Sequence, residues 1–146
     1  ISVFLMRANK VLMQRRALTK YHTPGLWTNT CCTHPHWGED ALSCAQRRLG
    51  EELGLPALRL EKRDRVEYRA DVGGGLIEHE LVDIFVGELP PEVEPTPNPN
   101  EVADLAWMDL AGLSDRVAAS AEKFTPWLKI YLEDHAAKIF GIGAKV

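Results

Sequence analysis

The sequence predicts a mixed α/β or α+β sandwich, in which strands form a sheet and helices pack outside it. Strand-like runs flank one strongly periodic helix, a triple glycine joins two further strand-like stretches, and helical segments close the chain. The length of 146 residues suits one domain with a core of its own. Residues 1–7 and 10–15 read as two strands around a turn at Ala8-Asn9, a hairpin. A loop containing Pro24-Gly25 leads into the segment from Trp27 to Cys32. Ala41, Leu42, Ala45, Leu49 and Leu53 then recur at helical spacing, with Glu39 and Asp40 favouring the start and Gly54 the end. Val66, Tyr68 and Ala70 alternate with charged residues, and Gly73-Gly74-Gly75 turns the chain into a strand over 76–87. The stretch from Pro90 to Pro99 carries five prolines and forms a stiff connection. A short strand near 102–108 and helices over about 110–121 and 126–139 complete the chain. No internal repeats occur.

A net charge of −4, with 45% hydrophobic and 26% charged residues, describes an ordinary globular protein and argues against a nucleic-acid surface or polybasic membrane patch. No apolar run approaches the ~20 residues that span a bilayer. Ile1-Ser2-Val3-Phe4-Leu5 has neither a basic leader nor a small-residue cleavage site, so it is not a signal peptide. It starts without Met and directly in an apolar run, so the expectation is a chain cut off at its front. Cys31 and Cys32 are neighbours, with Cα atoms about 3.8 Å apart, too close for the usual disulfide geometry. With Cys44 the count is odd, which favours a reducing compartment and a cytoplasmic protein.

Chemistry concentrates in three places. Cys32-Thr33-His34 precedes the periodic helix. Such a cysteine can serve as nucleophile, acid/base or ligand, although buried cysteines beside a surface histidine would look the same. Glu78 and Glu80 share a strand face with Val82, Ile84 and Val86. Carboxylates that continue an apolar row repel one another unless a metal, a proton or a lined cavity compensates them. Arg48 and Glu52 lie four apart on the helix. Alone, that pair reads as solvated surface, as do Arg15, Arg16 and Lys20. Together, a metal cluster, a cysteine and several cations point to a small anionic substrate, expected to be phosphorylated.

Thr28-Asn29-Thr30-Cys31-Cys32-Thr33-His34-Pro35 closely resembles the active-cysteine signature of type 1 isopentenyl diphosphate isomerases. Arg15-Arg16-Ala17-Leu18-Thr19-Lys20, Tyr68-Arg69-Ala70, Glu78-His79-Glu80 and Phe124-Thr125-Pro126-Trp127 second it in the family's order and over nearly the whole chain. The helix also resembles the Nudix box, so a Nudix-like mixed sheet with flanking helices is implied, with residues 1–146 as a single domain. Thr33 stands where the box has its glycine, and Arg48 where it has its second acidic residue. A Nudix hydrolase needs that acidic cluster to hold metals that activate water, so diphosphate hydrolysis is the weaker alternative. A binding module that kept the fold without catalysis is the other.

By position, the resemblance implies Cys32 and Glu80 as catalytic groups, with Tyr68 and Trp127 as aromatic residues of the active cavity. It implies His34, Glu78 and Glu80 as three of five ligands to a divalent ion (Mn, Zn or Mg), the other two being histidines N-terminal to the matching segment. Glu52 corresponds to the carboxylate that helps bind magnesium on the substrate diphosphate, and Arg16, Lys20 and Arg48 to diphosphate-binding cations. Cys31 has no expected chemical role. The implied reaction interconverts isopentenyl and dimethylallyl diphosphate through a tertiary carbocation, with Glu80, assisted by Tyr68, protonating and Cys32 deprotonating. Trp127 is expected to cover the cation with its π face, an interaction worth about 2 kcal/mol or more when desolvated. A monomer acting on a small isoprenoid diphosphate is expected, without nucleic-acid or membrane partners.

Overall fold

A computed structural model covers residues 1–146. β1 (Ser2–Arg7) and β2 (Lys10–Arg16) form the expected hairpin, with Ala8 at positive φ in the turn. Two short strands, β3 (Trp27–Thr28) and β4 (Cys31–Cys32), pair antiparallel with β2 and β1. β5 (Leu60–Gly73) and β6 (Leu76–Glu88) make a long hairpin across the glycine turn, and β6 lies parallel to β1. β7 (Val102–Asp109) returns antiparallel to β2, completing a mixed seven-stranded sheet.

Because side chains alternate along a strand, the sheet carries two cores. Val3, Leu5, Leu12 and Phe85 pack on one face beneath α1 (Ala41–Leu53), with Cys44, Leu49 and Leu53 pointing down from the helix. Phe4, Met13, Tyr68 and Ile84 fill the other face, beneath α2 (Leu113–Ala119), α3 (Pro126–Asp134) and α4 (Ala136–Phe140). The result is the predicted sandwich of helix, sheet and helices.

The caps of α1 are those the sequence offers. The Asp40 side chain accepts from the Ser43 N–H, and Gly54 closes the helix in the left-handed region at φ 63°. Glu39 does not extend the helix; it lies before it and binds Arg47 at 2.7 Å. That guanidinium pulls the Glu39 carboxyl down to about 2.

The C-terminal helices depart from expectation. Residues 110–112 form a turn that ends at Gly112, φ 78°, so α2 starts later than the expected bound near 110. The helix expected over 126–139 is two helices. His135 leaves helical geometry at φ −128° and its Nδ1 lies 3.0 Å from the buried Asp64 carboxylate on β5. That tertiary contact outweighs the local helical pattern. No helix is long and apolar enough to cross a membrane.

Candidate active site

Strand alternation decides which cysteine is available. Ser2 pairs with Cys32 and Val3 with Cys31 across β1 and β4. Cys31 therefore points into the α1 core, fully buried, with its thiol 3.4 Å from Glu52. Cys32 points to the opposite face and lines a cleft of about 310 Å³. Both are free thiols, as expected.

A polar cradle surrounds Cys32. Its thiol donates to Asn29 Oδ1 at 3.1 Å, and the Trp127 indole N–H donates to Sγ at 3.1 Å. Ser2 Oγ lies 3.2 Å from Sγ and 3.0 Å from the Tyr131 hydroxyl. Asn29 is itself fixed, because its amide donates to the carbonyls of Val3 and Cys31. Thr30 clamps the adjoining strands by accepting from the Leu5 N–H and donating to the Leu12 carbonyl. Burial pushes the Cys32 thiol up, while Ser2, the Arg16 charge and Trp127 pull it the other way.

Across the cleft, β6 presents Glu78 and Glu80 on the face that continues through Val82 and Ile84. His34 Nε2 lies 2.7 Å from Glu80 Oε1. Ligand atoms from His34, Glu78 and Glu80 all fall within 4.8 Å of one another. One imidazole and two carboxylates are a donor set that suits a divalent ion of the Mn, Zn or Mg type. Such an ion would also relieve the repulsion between the two acids. Tyr68 donates to Glu78 Oε1 at 2.6 Å, although its backbone partner across the hairpin is Glu80. The phenol expected to assist Glu80 thus serves its neighbour. Burial, the nearby Tyr131 and this bond keep it firmly protonated.

The expected cations converge as well. Arg16, Lys20 and Arg48 line the same cleft from β2, the following loop and α1. Arg16 is 8% exposed, its Nε has no partner, and its guanidinium lies 5.4 Å from the centre of the Trp127 ring. The indole face expected to cover a carbocation therefore already carries a side-chain cation. Arg48 faces the cavity and not solvent, reaching Glu51 at 2.7 Å, Glu52 at 3.0 Å and Glu101 at 3.4 Å. Lys20 shares the same Glu101 oxygen. Glu52 is the one expected site residue off the cleft wall. It sits behind Arg48, with its oxygens engaged by Gln14, Cys31 and Arg48.

Residues 1–128 match the NUDIX domain family. A Rhodobacter capsulatus protein named isopentenyl-diphosphate Delta-isomerase is 59% identical over 140 residues, covering 96% of this chain and 80% of that protein. A Jannaschia protein of the same name is 64% identical over the same shares. The chain belongs to this isomerase family. Cereibacter sphaeroides supplies a further isomerase relative, 60% identical over 97% of this chain and 80% of that protein. Solved structures reflect the wider fold. A Deinococcus radiodurans protein superimposes with TM-score 0.73 at 19% identity, covering 90% of this chain and 78% of that one. A Nudix hydrolase of Alicyclobacillus acidocaldarius gives 0.65 at 16%, covering 98% and 96%.

Ser2, His22, Asn29, Glu101 and Tyr131 were not anticipated as site residues. Two left a usable trace: Asn29 lies within the Thr28–Pro35 signature, and Tyr131 follows Trp127 by four residues and so shares its helix face. Ser2 is a lone hydroxyl in an apolar strand, and Glu101 reaches Lys20 from 81 residues away.

Proposed function

We propose that the two sides of this cleft, Cys32 and Glu80, carry the proton transfers by which the enzyme interconverts isopentenyl and dimethylallyl diphosphate, and that residues 1–146 act as one domain. The observation that carries the assignment is the opposition of a half-buried, hydrogen-bonded thiol to a carboxylate pair across one cavity lined by three cations. In the forward direction the Glu80 carboxyl gives its proton to the terminal methylene carbon. The C=C π pair forms the new C–H bond and leaves a tertiary cation. Cys32 then takes a proton from the neighbouring methylene, and that C–H pair becomes the new double bond. One proton is gained and one lost, so the pair ends with the proton on sulfur. Burial favours that thiol form in the free protein, which is the state needed for the reverse direction. Arg16, Ser2 and Trp127 lower the cost of the thiolate needed for the forward one.

His34, Glu78 and Glu80 would hold the divalent ion, Mn, Zn or Mg, which when bound neutralises the acids and sets the basicity of Glu80. Tyr68 fixes Glu78 beside it. Arg16, Lys20 and Arg48 bind the diphosphate, each by charge-assisted contact. Glu52 holds Arg48 in the free protein and would supply the carboxylate that helps bind magnesium carried by the diphosphate. Trp127 holds the thiol, carries Arg16 and excludes water that would trap the cation as an alcohol. A cytoplasmic monomer suits free thiols and a soluble substrate.

Incubation of the purified protein with isopentenyl diphosphate and Mg or Mn tests the reading. Dimethylallyl diphosphate is the expected product. Release of inorganic phosphate or of an isopentenyl monophosphate without isomer would make the protein a hydrolase, and absence of both products would make it a binder.

Arg48 offers a finer check. Arg48→Ala should raise KM for the diphosphate by about tenfold or more, since a charge-assisted phosphate contact contributes about 1.5–3 kcal/mol. Unchanged KM and kcat would return Arg48 to the role of an internal ion-pair partner of Glu52.

A further inference from the structure

His22 lies in the loop after Lys20, outside the residues that carry the family resemblance, yet its ring lines the cleft and its side chain is 10% exposed. Nε2 stands 3.5 Å from Glu78 Oε2, while Tyr68 holds Oε1 of the same carboxylate. Glu78 is thus flanked at both oxygens, one neighbour coming from β5 and the other from the loop.

The ring is not free to turn. Nδ1 lies 2.9 Å from Thr23 Oγ1, and the ring meets Trp127 at 90° with centroids 6.0 Å apart. The backbone is committed as well, because the His22 carbonyl accepts from Arg16 Nη2 and Thr23 is buried at φ 47°. A β-branched residue in the left-handed region is strained and persists only where its surroundings fix it. These contacts also favour one placement of the hydrogen. An ionised carboxylate is acceptor-only, so the ring nitrogen that faces it favourably is the one bearing hydrogen. That favours N–H on Nε2, whether Thr23 donates to Nδ1 or accepts from it.

We propose that His22 is a positioning residue for Glu78, directing N–H at Oε2 so that the carboxylate faces the ion shared with His34 and Glu80. The proposal rests on the metal-ligand assignment made above for Glu78. His22 itself is not among the residues whose ligand atoms cluster within 4.8 Å, so it acts from outside the ligand set. Groups in this outer position typically change metal affinity or activity by about 10–100-fold when removed. Substrate phosphate groups are bound by other residues, so their affinity should not follow.

Three forms of the protein test it: wild type, His22→Phe, which keeps a ring against Trp127 without either nitrogen, and His22→Gln, whose amide restores an N–H donor. Mn(II) binding is measured by electron paramagnetic resonance without substrate, and kcat and KM with it. His22→Phe should weaken Mn(II) binding about tenfold or more and lower kcat, with KM for the diphosphate unchanged. His22→Gln should recover most of both losses. Equal Mn(II) affinity in wild type and His22→Phe would overturn the proposal, as would a 14N coupling to Mn(II) that disappears in His22→Phe, which would make His22 a ligand. Should His22→Phe fail to fold, His22→Gln decides: binding near the wild-type value supports an N–H donor, and loss as deep as that of a Glu78→Gln variant overturns it. Wild-type protein that turns over isopentenyl diphosphate while His22→Phe matches it removes His22 alone. Wild-type protein that binds no Mn(II) removes the ligand assignment with it.

Discussion

Cys32→Ala is expected to lower kcat by about 10²–10⁴-fold, the range general acid–base groups supply, with the fold intact. Alanine is small enough for the cradle; Asn29 keeps Thr28 and Ser2 keeps Tyr131, while the Trp127 indole N–H loses its partner. Cys31→Ala is the control. It removes a buried thiol from the α1 core at a cost in stability, yet leaves the cleft untouched, so turnover should stay within a few-fold of wild type. Steady-state rates for both variants, with circular dichroism to confirm folding, separate the two thiols. A dead Cys31→Ala beside an active Cys32→Ala would show that the wrong sulfur has been chosen.

Glu80→Gln should lose activity on a similar scale, about 10²–10⁴-fold, because an amide neither donates to nor accepts from carbon in the required way. Glu80 is also a proposed ligand, so the loss has two sources that must be separated. Measuring turnover across a range of Mn(II) concentrations, with bound metal quantified at each, does so. Activity that stays low when the site is saturated assigns proton transfer to Glu80. Full recovery under saturating metal would restrict Glu80 to holding the ion and would leave the acid to be found elsewhere.

The parts legible in sequence are those whose cause is local. Asp40 and Gly54 bound α1 by capping, and Gly73-Gly74-Gly75 closes the β5–β6 hairpin, so both elements stand where expected. Cys32, His34, Glu78 and Glu80 sat in recognisable patterns, and the fold brings them to one cleft. Illegible features depend on distant partners. The break at His135 follows from Asp64 on β5, and the pairing of Lys20 with Arg48 through Glu101 needs β7 beside β2. Likewise, the resemblance implies that Tyr68 assists Glu80, and the two pair across the hairpin, yet the phenol reaches diagonally to Glu78. Register can be inferred from pattern; where a long side chain ends depends on the whole cavity.

The two-residue strand β4 gives the choice of the sulfur that faces the cleft an arithmetic character. Both neighbours are the same amino acid, and what separates them is whether the count from the strand's anchor is odd or even. Sliding β4 by one position against β1 would exchange them, placing Cys31 in the cleft and Cys32 against Glu52. Thr30 and Asn29, which tie the segment to Leu5, Leu12 and Val3, therefore guard a parity, and the buried amide and hydroxyl do so from behind the cleft wall. Inserting or deleting a single residue between Asn29 and Cys32 would be a more damaging change to this enzyme than most replacements of the side chains around it.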